Sequence, residues 1–567
     1  MKKGKRTADK KIKKNKKVLK NKKMIKIIFA IIVLIFVGIM ANNYIIFDKN
    51  KSINLIINNN NVTSQLKNEV IIEEDNIYIS EADIKNFFDK YITEEGDKII
   101  TTYEKKIAEV STTENIININ GADKKTETKA IKKGEIMYLP ISEMTEVYNI
   151  EIGNKSKTKV VTLDSLDKEQ EKAIIKSGTS VKSSTNFIAK TIDRIKKGES
   201  VVIISSDKKY SKIRTENGKI GYIKTKKLTN EYKVRENMEE EKQINGKVNM
   251  TFDYYSEVTS APNRDGTKIE GVNVVSPSFF YIDKNATFKE NIGDEGKAYI
   301  DWAHNNGYKV WAMASNAPAA KEDLEITSRI MNSYEKRKKL IGILVNRCVQ
   351  YGLDGINIDF ENMKAEDKDV YSRFIIELEP RLKEIGVVLS VDVTAPDGGE
   401  TWSMCFDRNV IGNVADYIVF MAYDEYGTSS TKSGTTAGYD WVKLNLTKFL
   451  QTEEIKSDKI VLGIPLYTRI WTENKDGTLV KSSTVNMKDV DSVLPSDVEK
   501  KWDDQLKQYY VEFEKDSTIK KMWIEDIKSL KEKVSLITDN KLGGVASWQK
   551  GMESDEVWSM LNEELSK

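Results

Sequence analysis

From Lys247 onward, apolar segments of strand length alternate with longer stretches of helical periodicity. Most of the short segments are nearly continuous apolar runs, which is typical of parallel strands covered by helices. Eight alternating units predict an α/β fold, a (β/α)8 TIM barrel over residues 247–567. The strands are predicted at 248–255, 271–282, 308–315, 353–360, 387–395, 416–424, 459–467 and 542–549.

The interval between the last two predicted strands is far longer than one helix requires. We therefore expect residues 472–525 to form an inserted subdomain over one side of the barrel mouth, the carboxyl edge where active sites of this fold lie.

Cysteine and histidine usage excludes most metal and nucleophile chemistry. The chain has two cysteines, Cys348 and Cys405, which exclude a disulfide-rich scaffold and a four-cysteine metal site. Its single histidine, His304, stands where a helix ends, and we expect a surface or helix-end role for it. Chemistry in this chain must therefore be carried by carboxylates, tyrosines or tryptophans.

The amino-terminal region is strongly basic and is followed by an apolar run. Residues 1–26 contain fourteen Lys/Arg and one Asp, whereas the remaining chain holds 76 basic and 86 acidic side chains. Basic residues beside an apolar segment hold an N-terminus in the cytoplasm. We predict an uncleaved transmembrane anchor at 27–47, with 1–26 cytoplasmic and the rest extracytoplasmic. A cleaved signal peptide is the alternative, and a nucleic-acid role for the basic arm is the weaker interpretation.

Two small modules are predicted between the anchor and the barrel. Residues 52–165 contain an imperfect repeat of strand, turn, strand and short helix, with "IYIS" echoed by "MYLP". This α+β segment resembles the module found at the N-terminus of copper amine oxidases and in bacterial envelope proteins, without metal ligands. Residues 172–230 alternate around an "NG" turn and resemble a bacterial SH3-type β-barrel, either wall-binding or a spacer. A charged linker follows at 230–246.

The stretch "YGLDGINIDFENM" (351–363) places carboxylates inside an apolar strand pattern. Side chains two apart share a face of a strand, so Asn357, Asp359 and Glu361 are predicted to point into the barrel. Ile356, Ile358 and Phe360 then face the helices. Asp354 lies an odd number of residues from Asn357, so alternation does not place it in this inward-facing set.

At these residues the sequence resembles glycoside hydrolase family 18. The family signature D-x-x-D-x-D-x-E is matched by Asp354, Asn357, Asp359 and Glu361 on the fourth strand. Its M-x-Y-D motif is matched on the sixth strand and its tryptophan on the eighth. These further matches are Met421, Tyr423, Asp424 and Trp548.

The resemblance implies a retaining mechanism in which the substrate's own 2-acetamido oxygen attacks the anomeric carbon, and this chemistry requires no metal or organic cofactor. Glu361 is then the general acid, Asp359 stabilises the oxazolinium intermediate, and Tyr423 orients the acetamido carbonyl. Asp354 and Asn357 are supporting residues. Substrate contacts are implied for Trp548, Asp424, Met421, Tyr467 and Arg469.

Asn357 replaces an acid of the family signature. We expect its amide to donate a hydrogen bond to Asp359, so that Asp359 ionises more readily.

The predicted function is a membrane-anchored glycosidase acting on a polysaccharide with β-linked N-acetylglucosamine, with peptidoglycan favoured by the tether and modules. A chitinase or an endo-N-acetylglucosaminidase acting on other glycans is the first alternative. A non-catalytic wall-polysaccharide binder or envelope scaffold is the second, and such barrels typically lack the final glutamate that is present here.

Overall fold

A computed structural model describes residues 53–155, 158–235 and 244–567. The predicted cytoplasmic arm, the predicted anchor and residues 236–243 of the predicted linker lie outside these ranges. None of the helices within the described ranges has the length and apolar character needed to cross a membrane. The described residues form two compact units, one with 53–92, 110–117 and 123–235, the other with 93–109, 118–122 and 244–567.

The larger unit contains a closed barrel of eight parallel strands, labelled β1–β8. In spatial order they run β2-β1-β8-β7-β6-β5-β4-β3, and pairing of Val274 with Lys309 joins β2 to β3 and closes the ring. The predicted (β/α)8 barrel is confirmed, with every strand inside its predicted range or at its edge. The strands are β1 Val248–Asp253, β2 Val274–Pro277, β3 Lys309–Ser315, β4 Gly355–Asp359, β5 Val388–Val393, β6 Tyr417–Met421, β7 Ile460–Pro465 and β8 Gly544–Trp548.

Helices cover the outside of the barrel. A short antiparallel pair, Phe280–Ile282 and Phe288–Glu290, extends the sheet beside β3. The helices of this unit are α1 Gly293–Asn305, α2 Ala317–Ala320, α3 Glu325–Met331, α4 Tyr334–Tyr351, α5 Lys368–Glu384, α6 Arg408–Val414, α7 Tyr439–Gln451, α8 Val490–Val493, α9 Ile527–Asp539 and α10 Val557–Leu565.

Side chains alternate across the wall of the barrel as predicted for β4. Phe360 stacks on Phe374 of α5, with ring centroids 6.0 Å apart, and Ile356 and Ile358 belong to the same outer apolar core. The inward positions of neighbouring strands fill the barrel axis with a second apolar cluster, which includes Trp311 and Val419. The lower barrel is thus closed by apolar packing, and polar inward residues are confined to its carboxyl end.

Gly355 is needed because of a close approach inside the barrel. A Cβ at this position would lie 2.4 Å from Cδ1 of Trp311, a ring that is fully buried at the barrel axis. We expect Gly355→Ala to lower the free energy of unfolding by about 1–3 kcal/mol through overpacking, measured by denaturant titration. Gly342→Ala is the matched control, since nothing lies within 4 Å of a Cβ there on α4. The control should raise stability by about 1 kcal/mol, and equal effects of the two changes would contradict this account.

The predicted insertion is a five-stranded antiparallel sheet that starts five residues earlier than expected and ends at Ile524. Its first strand begins at Tyr467, two residues after β7, because the apolar run continues directly from the barrel into this sheet. The strands are Tyr467–Glu473, Leu479–Asn486, Lys501–Asp503, Gln508–Lys515 and Thr518–Ile524, in the spatial order second, first, fifth, fourth, third.

The internal repeat of the amino-terminal region corresponds to two β-hairpins that pair with each other. Strands Asn76–Ser80 and Ile136–Pro140 are antiparallel, with Tyr138 opposite Ser80. Ser80 caps helix Glu81–Phe87 by accepting a hydrogen bond from the Asp83 backbone N–H. The equivalent Pro140 offers no side-chain cap, and only a 3-10 turn, Ile141–Glu143, follows it in place of the predicted second helix.

The outer strands of the hairpin sheet are Ile71–Glu73 and Ile131–Lys133. The same region contains two more sheets. One has four strands, in the spatial order Ile150–Lys155, Val160–Ser165, Asn54–Ile57 and Asn60–Asn61. A five-stranded sheet runs in sequence order through Thr93–Glu95, Lys98–Tyr103, Lys106–Ser111, Ile116–Ile119 and Ala122–Lys125.

The segment predicted to be SH3-like forms a seven-stranded antiparallel sheet. The hairpin predicted at the "NG" turn is present, since Tyr210–Thr215 pairs with Ile220–Lys224. In spatial order the strands are Thr191–Ile195, Thr179–Lys182, Ile220–Lys224, Tyr210–Thr215, Ser200–Ser206, Gln170–Ile175 and Leu228–Arg235.

Candidate active site

The inward column of β4 ends in two acids at the carboxyl edge of the barrel. Asn357 and Asp359 are buried, with 0% and 6% of their surfaces exposed, whereas Glu361, just beyond the strand, is partly exposed. The pairing of Ser315 with Asp359 places the end of β3 beside this column. One carboxylate is therefore enclosed, and the residue that carries the next one is partly exposed at the carboxyl end of the barrel.

Asp354 does not join this group. It precedes β4 at the opposite, amino end of the strand, where its carboxylate accepts hydrogen bonds from Lys309 Nζ at 2.9 Å and the Val310 backbone N–H at 3.0 Å. His304 Nε2 lies 2.8 Å from Asp354 Oδ2, the oxygen that also accepts from the Val310 N–H. The structure thus places Asp354 away from the two acids, in an ion pair at the amino end of the strand, and a supporting role for it at the site stays a prediction. His304 has the helix-end role that the sequence predicts.

The backbone of Glu361 is held by Asn316, a residue that the sequence analysis did not identify. Asn316 is fully buried after β3 and accepts a hydrogen bond from the Glu361 N–H at 2.8 Å. Its Nδ2 donates to the Glu361 carbonyl at 2.8 Å and to Thr327 Oγ1 at 2.8 Å. A doubly anchored backbone fixes the direction in which the Glu361 side chain leaves the strand.

Burial sets the protonation of the two acids. Burial raises the pKa of Asp359 to about 6, although hydrogen bonds with Glu361 and Ser315 and the charge of Lys321 act in the opposite direction. Burial raises the pKa of Glu361 well above its usual value, and the Asp359 charge raises it further. Near neutral pH the arrangement therefore offers an ionised Asp359 and a protonated Glu361 side by side.

A third buried carboxyl, Asp392 on β5, lies behind this pair. Asn357 Nδ2 donates to Asp392 Oδ2 at 2.7 Å, so the predicted hydrogen bond from Asn357 to Asp359 is replaced by one to the neighbouring strand. Burial and the Asp359 charge raise the pKa of Asp392 well above its usual value. Within the described residues, one oxygen each of Asn357, Asp359 and Asp392 is buried without a hydrogen-bond partner, which favours a protonated Asp392 as the missing donor.

Two residues of the sixth-strand motif contribute a phenol and a carboxylate. Tyr423 is 8% exposed, and burial, followed by the nearby charges of Asp392, Tyr467, Asp359 and Glu361, raises its pKa well above 10. The phenol therefore stays a hydrogen-bond donor at every physiological pH.

Asp424 is held at the start of the insertion. Its backbone is left-handed, with φ of 58°, and its carboxylate accepts from Tyr467 Oη at 2.7 Å and Arg469 Nη2 at 2.8 Å. Met421 is buried at the end of β6. The structure thus brings Asp424, Tyr467 and Arg469 together as one hydrogen-bonded group. The negative charge of Asp424 also contributes to the raised pKa of Glu361.

An aromatic surface lies at the carboxyl ends of β8 and β1. Trp548 is half-buried at the end of β8, with its ring 5.3 Å from Phe252 and 5.7 Å from Tyr254. Tyr254 is 47% exposed, and its pKa is raised by burial and by the charges of Glu257 and Asp359. Tyr254 was missed from the sequence, although a tyrosine directly after β1 at the carboxyl edge is a signal for a ligand contact.

Replacing Asn357 with Asp is expected to move the acid limb of the pH dependence of kcat/KM to higher pH. In the variant, Asp359 must ionise beside one more buried carboxyl. Repulsion between the two charges raises the pKa of Asp359 above its value of about 6. A pH–rate profile of the wild type should show the acid limb near pH 6. The control is Asn362→Asp, a neighbouring change outside the inward column, and an unmoved limb in Asn357→Asp would contradict the assignment.

No group of three or more acidic, histidine or cysteine side chains within the described ranges is arranged to hold a metal ion. The groups placed at the carboxyl end of the barrel are two carboxyls, a phenol and an indole face.

Comparison with known proteins identifies relatives of the barrel. The sequence profile of Glycosyl hydrolases family 18 matches residues 250–553, more than half of the chain. An uncharacterized glycosylase, YvbX of Bacillus subtilis, is 29% identical over 322 residues, covering 55% of this chain and 90% of that protein. The cortical fragment-lytic enzyme of the same organism is 23% identical over 248 residues, covering 43% of this chain and 57% of that enzyme.

A solved structure shares the fold. The chitinase from Chromobacterium violaceum superimposes with a TM-score of 0.50 at 21% identity, covering 57% of this chain and 100% of that chain. The profile match over the whole barrel establishes that the chain belongs to glycosyl hydrolase family 18 and is a glycosidase of that family.

Proposed function

We propose that this protein is a membrane-anchored, extracytoplasmic glycosidase that cleaves peptidoglycan after β-linked N-acetylglucosamine with retention of configuration. The observation that carries the proposal is the pairing of a protonated Glu361 with an ionised Asp359 beside an aromatic face. A single acid next to a fixed negative charge suits a reaction in which the substrate supplies its own nucleophile.

In the proposed mechanism the substrate's acetamido oxygen attacks the anomeric carbon while Glu361 donates its proton to the leaving glycosidic oxygen. Asp359 holds the acetamido N–H and stabilises the positive charge of the oxazolinium ion. The phenol of Tyr423 donates a hydrogen bond that orients the acetamido carbonyl before attack. Glu361, now ionised, then takes a proton from the water that opens the oxazolinium ring.

Trp548 and Tyr254 are proposed to form the floor and rim of the sugar subsite. An indole face suits the C–H surface of a pyranose ring, and Tyr254 is exposed enough to contact the same sugar. Asp424, with Tyr467 and Arg469 bonded to it, is proposed to contact a polar group of the sugar chain.

The choice of peptidoglycan is supported by the relative named a cortical fragment-lytic enzyme and by the predicted anchor and envelope modules. Chitin is the second candidate, because every group placed at the site addresses one N-acetylglucosamine unit, which both polymers contain. Other glycans, cleaved by endo-N-acetylglucosaminidase action, are the third candidate.

Side-by-side digestion tests the substrate. Purified peptidoglycan, chitin oligomers and a high-mannose glycoprotein are incubated with the full chain, and the new reducing ends are identified by mass spectrometry. We expect N-acetylglucosamine at the reducing end of peptidoglycan fragments, formed first as the β-anomer by NMR. Cleavage of chitin alone would favour the second candidate. Binding of these polymers without release of reducing ends would favour the non-catalytic alternative.

The anchor has a separate test. The full chain and a version lacking residues 1–47 are expressed in a bacterial host, and membrane and soluble fractions are compared. We expect the full chain in the membrane fraction, with its barrel accessible to external protease in cells stripped of their wall. Recovery of the full chain in the soluble fraction would contradict the anchor, and protection of the barrel would contradict its extracytoplasmic orientation.

A further inference from the structure

The amino-terminal unit contains a cavity of about 170 Å³ far in sequence from the barrel site. It lies between strands of two sheets, with Glu151, Thr162 and Asp164 on one side and Gln170, Ser200 and Arg214 on the other. Its volume is below the roughly 300–1,000 Å³ of pockets for drug-sized ligands, so it suits a small molecule or the end of a chain.

A buried ion pair gives this cavity a fixed wall. Arg214 donates to both oxygens of Asp164, at 2.8 and 2.5 Å, and both residues are more than nine-tenths buried. On the rim, Glu151 accepts from Arg235 Nη2 at 3.3 Å. These four charges neutralise one another in two pairs, and they leave the recognition of a ligand to other residues.

A buried hydroxyl and a side-chain amide line the cavity. Among the described residues, Ser200 Oγ is buried without a hydrogen-bond partner. Gln170, which is 6% exposed, lines the same cavity. A buried hydroxyl left unpaired is costly, and a glutamine amide can both donate and accept, so a ligand that itself donates and accepts hydrogen bonds, as a peptide group does, would be stabilised there.

One cation and one anion on the lining are also unpaired. Lys172, half-buried, and Glu216, exposed at the mouth, make no ion pair within the described ranges. A ligand with a carboxylate and an ammonium at its two ends complements them, whereas a simple anion or cation would meet only one of them.

We propose that this cavity binds a short peptide with free termini. Its carboxylate pairs with Lys172, its ammonium pairs with Glu216, and the peptide group between them bonds to Gln170 and Ser200. Binding here is independent of the glycosidase reaction, since none of these residues belongs to the barrel.

Calorimetric titration of the full chain in detergent tests the site, with L-Ala-L-Ala and D-Ala-D-Ala as probes. We expect saturable binding of at least one dipeptide, weakened about tenfold or more by Lys172→Met and by Glu216→Gln. Lys176→Met, an exposed lysine just after the same strand, is the matched control and should leave binding unchanged.

Blocked dipeptides assign each end of the ligand. N-acetylation should weaken binding to the wild type but cost little further in Glu216→Gln, and C-terminal amidation should behave in the same way with Lys172→Met. Hydrolysis by the barrel should be unchanged in all these variants, which separates this site from the proposed function. Absence of saturable binding, or equal binding of free and doubly blocked dipeptides, would overturn the proposal and leave a cavity filled by water.

Discussion

Glu361→Gln is expected to lower kcat by about 10²–10⁴-fold, the range that general acid catalysis contributes, with little change in KM. Glutamine keeps the size and shape of the side chain, and the backbone remains anchored by both hydrogen bonds of Asn316. It cannot deliver a proton to the leaving oxygen. Because the burial of Glu361 already disfavours its charged form, we expect the melting temperature to stay equal or rise.

The leaving group provides a sharper test of the same prediction. An aryl glycoside with an acidic phenol needs little protonation, so the defect of Glu361→Gln should shrink markedly on that substrate. Glu366→Gln is the matched control, since this glutamate lies in the 3-10 turn that follows, Ala365–Asp367, with its side chain 74% exposed. The control should keep kcat within about twofold of the wild type. A folded Glu361→Gln enzyme with wild-type kcat on the polymer would refute the assignment.

The barrel and the inward-facing residues of β4 could be predicted because both depend on patterns within single strands. Alternation with a period of two determines which face of a strand each side chain occupies. Ile356, Ile358 and Phe360 could be assigned to the helical layer, and Asn357 and Asp359 to the axis, from one short stretch. Repetition of apolar runs fixed the number of strands. Neither inference needs knowledge of how far one strand is shifted against the next.

The rest of the site depends on the stagger between strands, which a single sequence does not contain. Asn357 pairs in register with Ser390 on β5, so its side chain meets Asp392 two residues further along. That partner could not be chosen over Asp359 from spacing alone. Asn316 was missed for the same reason, since its role comes from β3 lying beside β4. The position of Asp354 at the amino end was also not predictable, because a signature match says nothing about which end of the strand each residue occupies.

Asp359→Asn is expected to lower kcat by about 10²–10³-fold, a magnitude typical of removing one group that stabilises transition-state charge. The change also has a second, independent signature. The Asp359 charge is, after burial, the next cause of the raised pKa of Glu361. Without that charge Glu361 loses its proton more easily, so the basic limb of the pH profile should move to lower pH. The acid limb near pH 6, which we assign to Asp359 itself, should disappear.

Asp354→Asn separates this effect from a loss of folding. It alters a carboxylate on the same segment that accepts from Lys309 Nζ and the Val310 N–H but lies at the other end of the strand. We expect it to lower the melting temperature while leaving kcat and both limbs of the profile in place. Asp359→Asn should do the reverse, since removing a buried charge does not weaken the fold. If Asp359→Asn shifted neither limb while lowering kcat, Asp359 would be acting through geometry alone, and the electrostatic role proposed for it would be wrong.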